Sequence, residues 1–351
     1  MKNTIYNLDP IQNTEMIALN AHRLMKRDNT LEVSKKILSE VMQYKRQVPR
    51  HKECLNAQCE ECASIHLPKI VQAVSIGEPV TFVLPAFPGK SPNTNKVLGY
   101  GVDLAEKLSL AFLGSLCEKI RSFYAPGIKI IICSDGRVFS DVVGMQEGNV
   151  TLYQNELMNL INDLSMSDIS TFNLDDVYED LSFNQMRDEL MKTYGHSLEF
   201  LKHKVKAGAK LSAKREELEA NRMYKGITRF LFEDALTPYQ KLSRAAVQRN
   251  AKQRAYEVIR RSNAWSELIE EKFKHAIRLS IHPQTCGSKK LGIRLVGNES
   301  WMTPWHGVAL ETNKGHVLVK RSEAIELGAK LVYDSKGRAS HYTLINTGFG
   351  D

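Results

Sequence analysis

The residues best suited to chemistry lie in three short polar segments, and each segment comes directly after an apolar stretch. PAFPGKSPN (85–93) follows residues 81–84, SDGRVFSD (134–141) follows 128–133, and HPQTCGSKK (282–290) follows 276–281. Lysine, arginine and serine side chains can hold a phosphate group through charge-assisted hydrogen bonds. Aspartate and histidine can transfer protons near neutral pH. Together these residue types indicate a site for an anionic substrate that undergoes proton transfer.

The tripeptide GKS (89–91) matches the end of a nucleotide-binding P-loop, but the rest of that motif is missing. A P-loop needs a glycine five positions before the second glycine, and that position is Leu84. The prolines on either side of the tripeptide also lack the backbone N–H donors that surround a nucleotide phosphate. A nucleotide cradle is therefore excluded. The segment is either an ordinary turn or a phosphate site built from the side chains of Lys90 and Ser91.

Apolar periodicity predicts the elements that position these segments. Strands are predicted within 79–84, 128–133, 169–174, 275–281, 291–296, 306–312 and 316–321. Helices are predicted at 31–46, at 151–164 and after Asp103, where Glu106 completes a capping box. This alternation predicts an α/β fold with a Rossmann-like, mostly parallel sheet, flanking helices and a large helical insertion at about 175–272. We expect a helical arm over 1–50 and an α/β domain over 51–351.

The three polar segments are expected to converge, because ligands bind beyond the carboxyl ends of the strands in open α/β sheets. Arg278, Ser280 and His282 alternate along one strand and therefore share one of its faces. Such polar groups on an apolar strand are costly unless they meet something polar. The joint placement of these residues with Asp135 favours an active site.

Each segment also has a purely structural interpretation. Residues 134–137 could form a turn capped by the aspartate, and His282 before a proline could simply end a strand. Arg278 could pair with a structural carboxylate such as Asp135, and Lys90 could be an ordinary solvated lysine.

A fourth segment, WMTPWHGVAL (301–310), contains two of the three tryptophans of the chain. His306 follows Trp305 directly and precedes a predicted strand. The segment is either a buried loop or an aromatic wall with an acid–base group beside it, and the second interpretation is slightly favoured.

The cysteines are concentrated near residue 60, and the segment offers four soft ligands: Cys54, Cys59, Cys62 and His66. These side chains could hold a tetrahedral zinc ion. Zinc modules, however, usually combine two separate cysteine pairs, and here the second half of the segment begins a predicted helix. Partly buried thiols without a metal are therefore the expectation.

Composition limits the classes to which this chain can belong. The net charge is +8 in 351 residues, and the segment 196–261 alone contains 16 lysines and arginines against 7 acidic residues. This excess indicates either an anionic partner or a solvated helical surface. The sequence contains no apolar run long enough to span a bilayer and starts without a signal peptide, so a cytoplasmic protein is expected.

The segments LPAFPGKSPN, KIIICSDGRVFSD, AIRLSIHPQ and TPWHGVAL together resemble the isocyanide (isonitrile) synthase family, which is grouped with the pyoverdine/dityrosine biosynthesis proteins. The resemblance covers residues from about 50 to 335 and keeps the order of the motifs. It implies an enzyme that converts the α-amino group of an aromatic amino acid, L-tyrosine being favoured, into an isonitrile. The added carbon would be C2 of ribulose 5-phosphate, through imine formation, proton transfers and C–C cleavage, without a cofactor. The product is usually passed to an Fe(II)/2-oxoglutarate oxygenase.

The resemblance also suggests a role for each candidate residue. Phosphate and sugar hydroxyls would be bound by Lys90, Ser91, Arg278, Ser280 and Lys289. Protons would be moved by Asp135, His282 and His306, with Lys90 as a further catalytic candidate. The amino acid would be held by Arg137, Trp305, Arg244 and Lys252. Three rival hypotheses remain from the residues alone. They are another sugar-phosphate enzyme with a Schiff base on Lys90, a zinc-dependent enzyme built on the cysteine cluster, and a nucleic-acid-binding protein that uses the basic helices over 196–261.

Overall fold

A five-stranded parallel sheet forms the centre of the computed structural model, which describes residues 28–47, 59–237, 240–297 and 300–344. Its strands are β1 Val80–Leu84, β2 Ile128–Cys133, β3 Ile169–Phe172, β4 Ile277–Ser280 and β5 Lys290–Gly292. Their order is β3-β2-β1-β4-β5, and every neighbouring pair is parallel. The chain therefore winds outward from β1 to β3 and then returns to add β4 on the other side of β1. The predicted α/β fold with a mostly parallel sheet is confirmed.

The sheet is buried on both faces because its strands are apolar on both sides. In β2, Ile128, Ile130 and Ile132 belong to one core, while Cys133 belongs to a second core on the opposite face. The helices of the first half of the chain are α1 (28–42), α2 Glu60–Ile76, α3 Leu104–Arg121, α4 Gly136–Val143 and α5 Glu147–Asp163. Residues of α1, α2, α3 and α5 pack in the first core.

The helical insertion lies between β3 and β4, as predicted. It consists of α6 Phe183–Tyr194, α7 Leu198–Ala207, α8 Arg215–Ala235 and α9 Arg244–Lys272. Trp265 and Leu268 of α9 pack with residues of α6 in the second core. The boundary expected at residue 50 lies outside the described residues and stays a prediction.

A second, four-stranded sheet lies near the end of the chain, and the sequence predicted two of its strands, within 306–312 and 316–321, but not the other two. Its strands are β6 Val308–Thr312, β7 Gly315–Val319, β8 Lys330–Tyr333 and β9 Ala339–Thr343, in the order β7-β6-β9-β8, and α10 Arg321–Glu326 lies between β7 and β8. Two of these strands are short and only half-buried, so their apolar periodicity is weak. No helix in the described ranges is long and apolar enough to cross a membrane.

The loop after β1 is buried rather than open to solvent. Phe87 is fully buried, has a positive φ of 57°, and accepts a hydrogen bond from Ser134 through its carbonyl oxygen. The ammonium group of Lys90 is fully buried beside two carboxylates, 2.8 Å from Asp103 Oδ2 and 2.7 Å from Glu106 Oε2. It also donates a hydrogen bond to the carbonyl oxygen of Pro304 at 3.1 Å. Lys90 thus joins this loop to α3 and to the segment that carries His306.

The two carboxylates that hold Lys90 are also the capping box of α3. Asp103 accepts a hydrogen bond from the backbone N–H of Ala105, and Glu106 accepts one from the backbone N–H of Asp103. Burial alone would lower the pKa of Lys90, but the charges of Asp103 and Glu106 outweigh burial and raise it. Lys90 therefore stays protonated.

Replacing Lys90 with methionine is expected to destabilise the fold by about 3–5 kcal/mol, because two buried carboxylates lose their cation. Urea unfolding measures this change. The matched control is Lys107→Met, an exposed lysine of α3 next to Glu106, which should change stability by about 0.5 kcal/mol or less. Equal losses in the two variants would contradict a special role of Lys90.

Candidate active site

The candidate site lies where the chain reverses its winding direction, between β1 and β4. The loops after β1 and β4 begin on either side of this point, and the loop after β2 begins next to them at the same edge. Ligands of open α/β sheets bind in the crevice that such a reversal opens beyond the carboxyl ends of the strands.

Arg278 of β4 is the central cation of this crevice. Its Nη2 donates a hydrogen bond to Ser266 Oγ of α9 at 3.3 Å, but its buried Nε and Nη1 have no hydrogen-bond partner among the described residues. Desolvation lowers the pKa of Arg278 to about 10, although the neighbouring Asp135 opposes this shift. A guanidinium group with unused donors is suited to an anionic ligand, because unsatisfied buried donors are costly.

Two further cations lie near this point, Lys290 beside Arg278 and Arg46 close to His282. Lys290 is the residue opposite Arg278 in the pairing of β4 with β5, and burial and the charge of Arg278 lower its pKa. Arg46 donates a hydrogen bond to the carbonyl oxygen of Ile281, and its buried Nε has no partner within the described ranges. In the part of the chain that the structure describes, none of the three forms an ion pair with a carboxylate. They therefore make a cationic cluster, defined here as Arg46, Arg278 and Lys290.

Two titratable groups, Asp135 and His282, lie next to the cationic cluster, and a third, His306, lies close to His282. Desolvation raises the pKa of Asp135 to about 7, with Arg278 as an opposing charge. His282 is accessible to solvent from the crevice, but desolvation and the charges of Arg46 and Lys290 lower its pKa. Desolvation also lowers the pKa of His306, to about 3, and His282 is one of the charges that contribute. Near neutral pH the site therefore holds two neutral imidazoles and one carboxyl group that is half ionised.

Helix α8 crosses the crevice from one loop to the other. At its start, Arg215 donates hydrogen bonds to the carbonyl oxygen of Cys286 at 2.6 Å and to Thr285 at 3.0 Å. Near its end, Asp234 accepts a hydrogen bond from Ser91 at 3.1 Å. At about 1.5 Å per residue the helix is roughly 30 Å long, enough to span both loops. It also places the Phe230 ring 4.5 Å from the ring of His306.

Of the side chains predicted for the site, the structure brings together Asp135, Arg278, Ser280, His282 and His306. Ser280 is buried and accepts hydrogen bonds from the backbone N–H of His282 and from Gln284 Nε2, both at 3.1 Å. It therefore holds the turn after β4, and its hydroxyl is already engaged.

Three predicted ligand residues are instead committed to the protein interior. Lys90 is held by Asp103 and Glu106, and Ser91 donates its hydroxyl to Asp234. Arg137 binds Glu147 at 2.7 Å and Thr151 at 2.8 Å, and it lies 3.6 Å from the centre of the Phe183 ring. These contacts do not suit the phosphate, Schiff-base and carboxylate-binding roles expected for them.

The remaining predicted residues are either packed in the interior or exposed. Trp305 is buried against Phe87, with ring centres 5.3 Å apart, and Lys289, Arg244 and Lys252 are exposed. The sequence predicted Lys289 as a phosphate ligand, whereas its neighbour Lys290 is the lysine that lies beside Arg278. The strand alternation with Arg278 could have identified Lys290, but no local signal pointed to Arg46, which reaches the site from 230 residues away in the sequence.

The predicted cysteine and histidine cluster is also rearranged. Cys59 and Cys62 lie close together with Cys286, while His66 is not part of that group, and Cys54 lies outside the described residues. The partner Cys286 is distant in sequence, so no local spacing could reveal it.

The cationic cluster is expected to bind inorganic phosphate. Lys290→Gln should weaken this binding about 10- to 100-fold, the value of one charge-assisted hydrogen bond. Lys289→Gln is the matched control and should bind as the unchanged protein does, because Lys289 is exposed. Isothermal titration calorimetry at fixed ionic strength measures both, and similar losses in the two variants would contradict the assignment.

Comparisons with known proteins identify the family of this chain. Residues 70–332 match the family model described as pyoverdine/dityrosine biosynthesis protein. The chain is 44% identical to an L-tyrosine isonitrile synthase from Pseudomonas aeruginosa, over 88% of this chain and 93% of that protein. It is also 44% identical to an L-tryptophan isonitrile synthase from Fischerella ambigua, over 88% of this chain and 91% of that protein.

A solved structure is similar along almost its whole length. The crystal structure of the PvcA protein from Pseudomonas aeruginosa aligns with a TM-score of 0.81 and 43% identity, covering 89% of this chain and 99% of that one. From the matched family model, the identities and the shared fold, it follows that the chain belongs to the pyoverdine/dityrosine biosynthesis protein family.

Proposed function

We propose that this chain is an isonitrile synthase that converts the α-amino group of an aromatic L-amino acid into an isonitrile. L-Tyrosine is the favoured substrate, and C2 of ribulose 5-phosphate is the carbon source. The names of the relatives support the class of reaction. The observation that carries the proposal is the cationic cluster beside Asp135 and His282, with His306 close to His282.

The cationic cluster suits the phosphate group of the sugar. Arg278 can give two N–H donors to one anion, and Lys290 and Arg46 add charge on the same side of the crevice. Because none of these cations forms an ion pair with a carboxylate among the described residues, their charges would be available to a dianionic phosphate. Such a clamp would fix the sugar end of the substrate and orient its ketone carbon.

The titratable groups suit the proton transfers that the reaction needs. Condensation of the amine with the ketone releases water and gives an imine, and later proton shifts precede C–C cleavage. Asp135, with a pKa of about 7, can both accept and return a proton near neutral pH. The neutral imidazoles of His282 and His306 can accept protons from the substrate or hold its hydroxyl groups. Helix α8 lies over these groups and would limit the access of water.

The Schiff-base alternative on Lys90 has less support. A lysine nucleophile must be deprotonated, whereas Asp103 and Glu106 keep Lys90 charged and fully buried. For the nucleic-acid alternative, several basic residues of the helical insertion are in ion pairs, among them Arg215 with Glu219 and Arg261 with Asp141. Among the described residues, no contact in the site favours the Schiff-base enzyme or the nucleic-acid-binding protein.

The proposal also covers the cofactor requirement, the location and the metabolic role of the enzyme. The reaction is expected to proceed without a redox cofactor, in the cytoplasm, as a step of secondary metabolism. Its isonitrile product would pass to an Fe(II)/2-oxoglutarate oxygenase.

The reaction can be tested directly with purified protein. Incubation with L-tyrosine and ribulose 5-phosphate labelled with ¹³C at C2 is expected to give tyrosine isonitrile that carries the label, detected by mass spectrometry. L-Tryptophan is assayed in parallel because one relative acts on it by name, and L-leucine serves as the non-aromatic control. Absence of a labelled isonitrile from any aromatic amino acid would overturn the proposal.

The role of Asp135 predicts a particular pH dependence. If its carboxylate is the base, kcat/KM should rise as the pH increases through about 7, because desolvation holds the pKa of Asp135 there. Both imidazoles have lowered pKa values, so they titrate on the acid side of this rise. Asp135→Asn should remove the rise and lower kcat/KM about 10²- to 10⁴-fold.

Asp141→Asn is the matched control for this experiment. Asp141 lies in the same segment. Burial alone would raise its pKa, but the hydrogen bond from Arg261 and the charges of Arg261 and Arg187 together lower it, so Asp141 does not titrate near neutral pH. This variant should keep the rise near pH 7. A rise that persists in Asp135→Asn would assign the base to another group.

A further inference from the structure

Three cysteine sulfur atoms converge at the start of α2, outside the crevice. Cys59 and Cys62 come from the first turn of that helix, and Cys286 comes from the loop after β4, more than two hundred residues later. The Sγ atom of Cys286 lies 3.2 Å from that of Cys59 and 3.7 Å from that of Cys62. All three sulfur atoms lie within 4.8 Å of one another.

These separations are close to those of a tetrahedral thiolate site. With zinc–sulfur bonds of about 2.3 Å, neighbouring sulfur atoms of a tetrahedron are about 3.8 Å apart. A disulfide would require two sulfur atoms at about 2.05 Å and would leave the third sulfur without a role. The arrangement of three sulfur atoms around one point therefore favours a shared ligand over a covalent pair.

A carboxylate completes the group on its solvent side. Glu61 Oε2 lies 3.2 Å from Cys286 Sγ. The same side chain packs so closely on Gly287 that a Cβ atom there would be 2.2 Å from Glu61 Oε1. Glu61 is exposed and Cys59 is only half-buried, so a cation can reach the sulfur atoms from solvent.

Neighbouring backbone groups can stabilise a thiolate at Cys62, whereas burial and the contacts with Cys59 and Glu61 raise the pKa of the Cys286 thiol. The backbone N–H of Gly287 points to Cys62 Sγ at 3.5 Å, and the N-terminus of α2 carries a partial positive charge. Arg215 donates a hydrogen bond to the carbonyl oxygen of Cys286 and so fixes the loop that brings the third sulfur. Outer contacts of this kind orient the ligands of a metal site.

We propose that Cys59, Cys62 and Cys286, with Glu61 as the fourth ligand, form a structural site for Zn²⁺. Binding releases one proton from each thiol that enters as a thiolate, and no redox step is involved. The metal links α2 to the loop that begins at His282 and leads to Lys290. The metal therefore fixes the positions of His282 and Lys290 in the crevice without contacting the substrate.

The test begins with the full-length protein, made in zinc-supplemented medium and purified without chelator under reducing conditions. Elemental analysis should give one zinc ion per chain. After removal with a chelator, Co²⁺ should bind with the intense visible absorption bands of a tetrahedral thiolate site, and Zn²⁺ should displace it. Wild-type protein that takes up neither metal would overturn the proposal, as would a disulfide among these cysteines found by mass spectrometry.

Variants identify the ligands. Cys286→Ser and Cys62→Ser should each lose the metal, whereas Cys117→Ser, a buried thiol of α3, should keep one equivalent. Because a cysteine variant could also unfold, Glu61→Gln gives an independent measurement on an exposed side chain, with circular dichroism to verify the fold. It should weaken Zn²⁺ binding by about tenfold or more, comparable to the loss of an outer partner. Loss of metal in Cys117→Ser, or unchanged affinity in Glu61→Gln, would contradict the assigned ligand set.

Discussion

The buried ion group around Lys90 is the constraint on which the candidate site depends. One ammonium group satisfies the carboxylates that begin α3 and also holds the carbonyl oxygen of Pro304, two residues before His306. The loop after β1, the first turn of α3 and the histidine segment are therefore fixed to one another by a single charge. A buried charge is costly to leave unpaired. Each of these three segments therefore needs the other two in order to adopt its folded position.

The regular part of the fold could be predicted from the sequence because apolar periodicity reports burial directly. The unbroken run 128–133 is a central parallel strand, and the Asp103 and Glu106 capping box begins α3 at the expected residue. Strands β8 and β9 of the second sheet escaped prediction because they are short and half-buried, so they have little alternation to detect. The family could also be identified, because four long motifs occur in the same order.

The roles of individual polar side chains were harder to predict, since a loop residue can face the interior or the crevice without any change in local sequence. Lys90 looked like a ligand because it follows a strand, yet its partners come from α3, more than ten residues further along. Lys289 and Lys290 are neighbours in the sequence, and they differ only in the side of the sheet to which their side chains point. Arg46 and Cys286 are contributed to their sites by tertiary contacts alone, and such partners have no sequence signal.

The cationic cluster has a consequence for the protein when no ligand is bound. Arg278 and Lys290 repel each other, and desolvation lowers the pKa of both residues and of Arg46. This repulsion lowers the stability of the folded protein, and a bound anion would reduce the repulsion. By mass action, an anion that binds the folded chain here would stabilise it, and the resistance of the chain to heat and proteases would rise with the concentration of that anion.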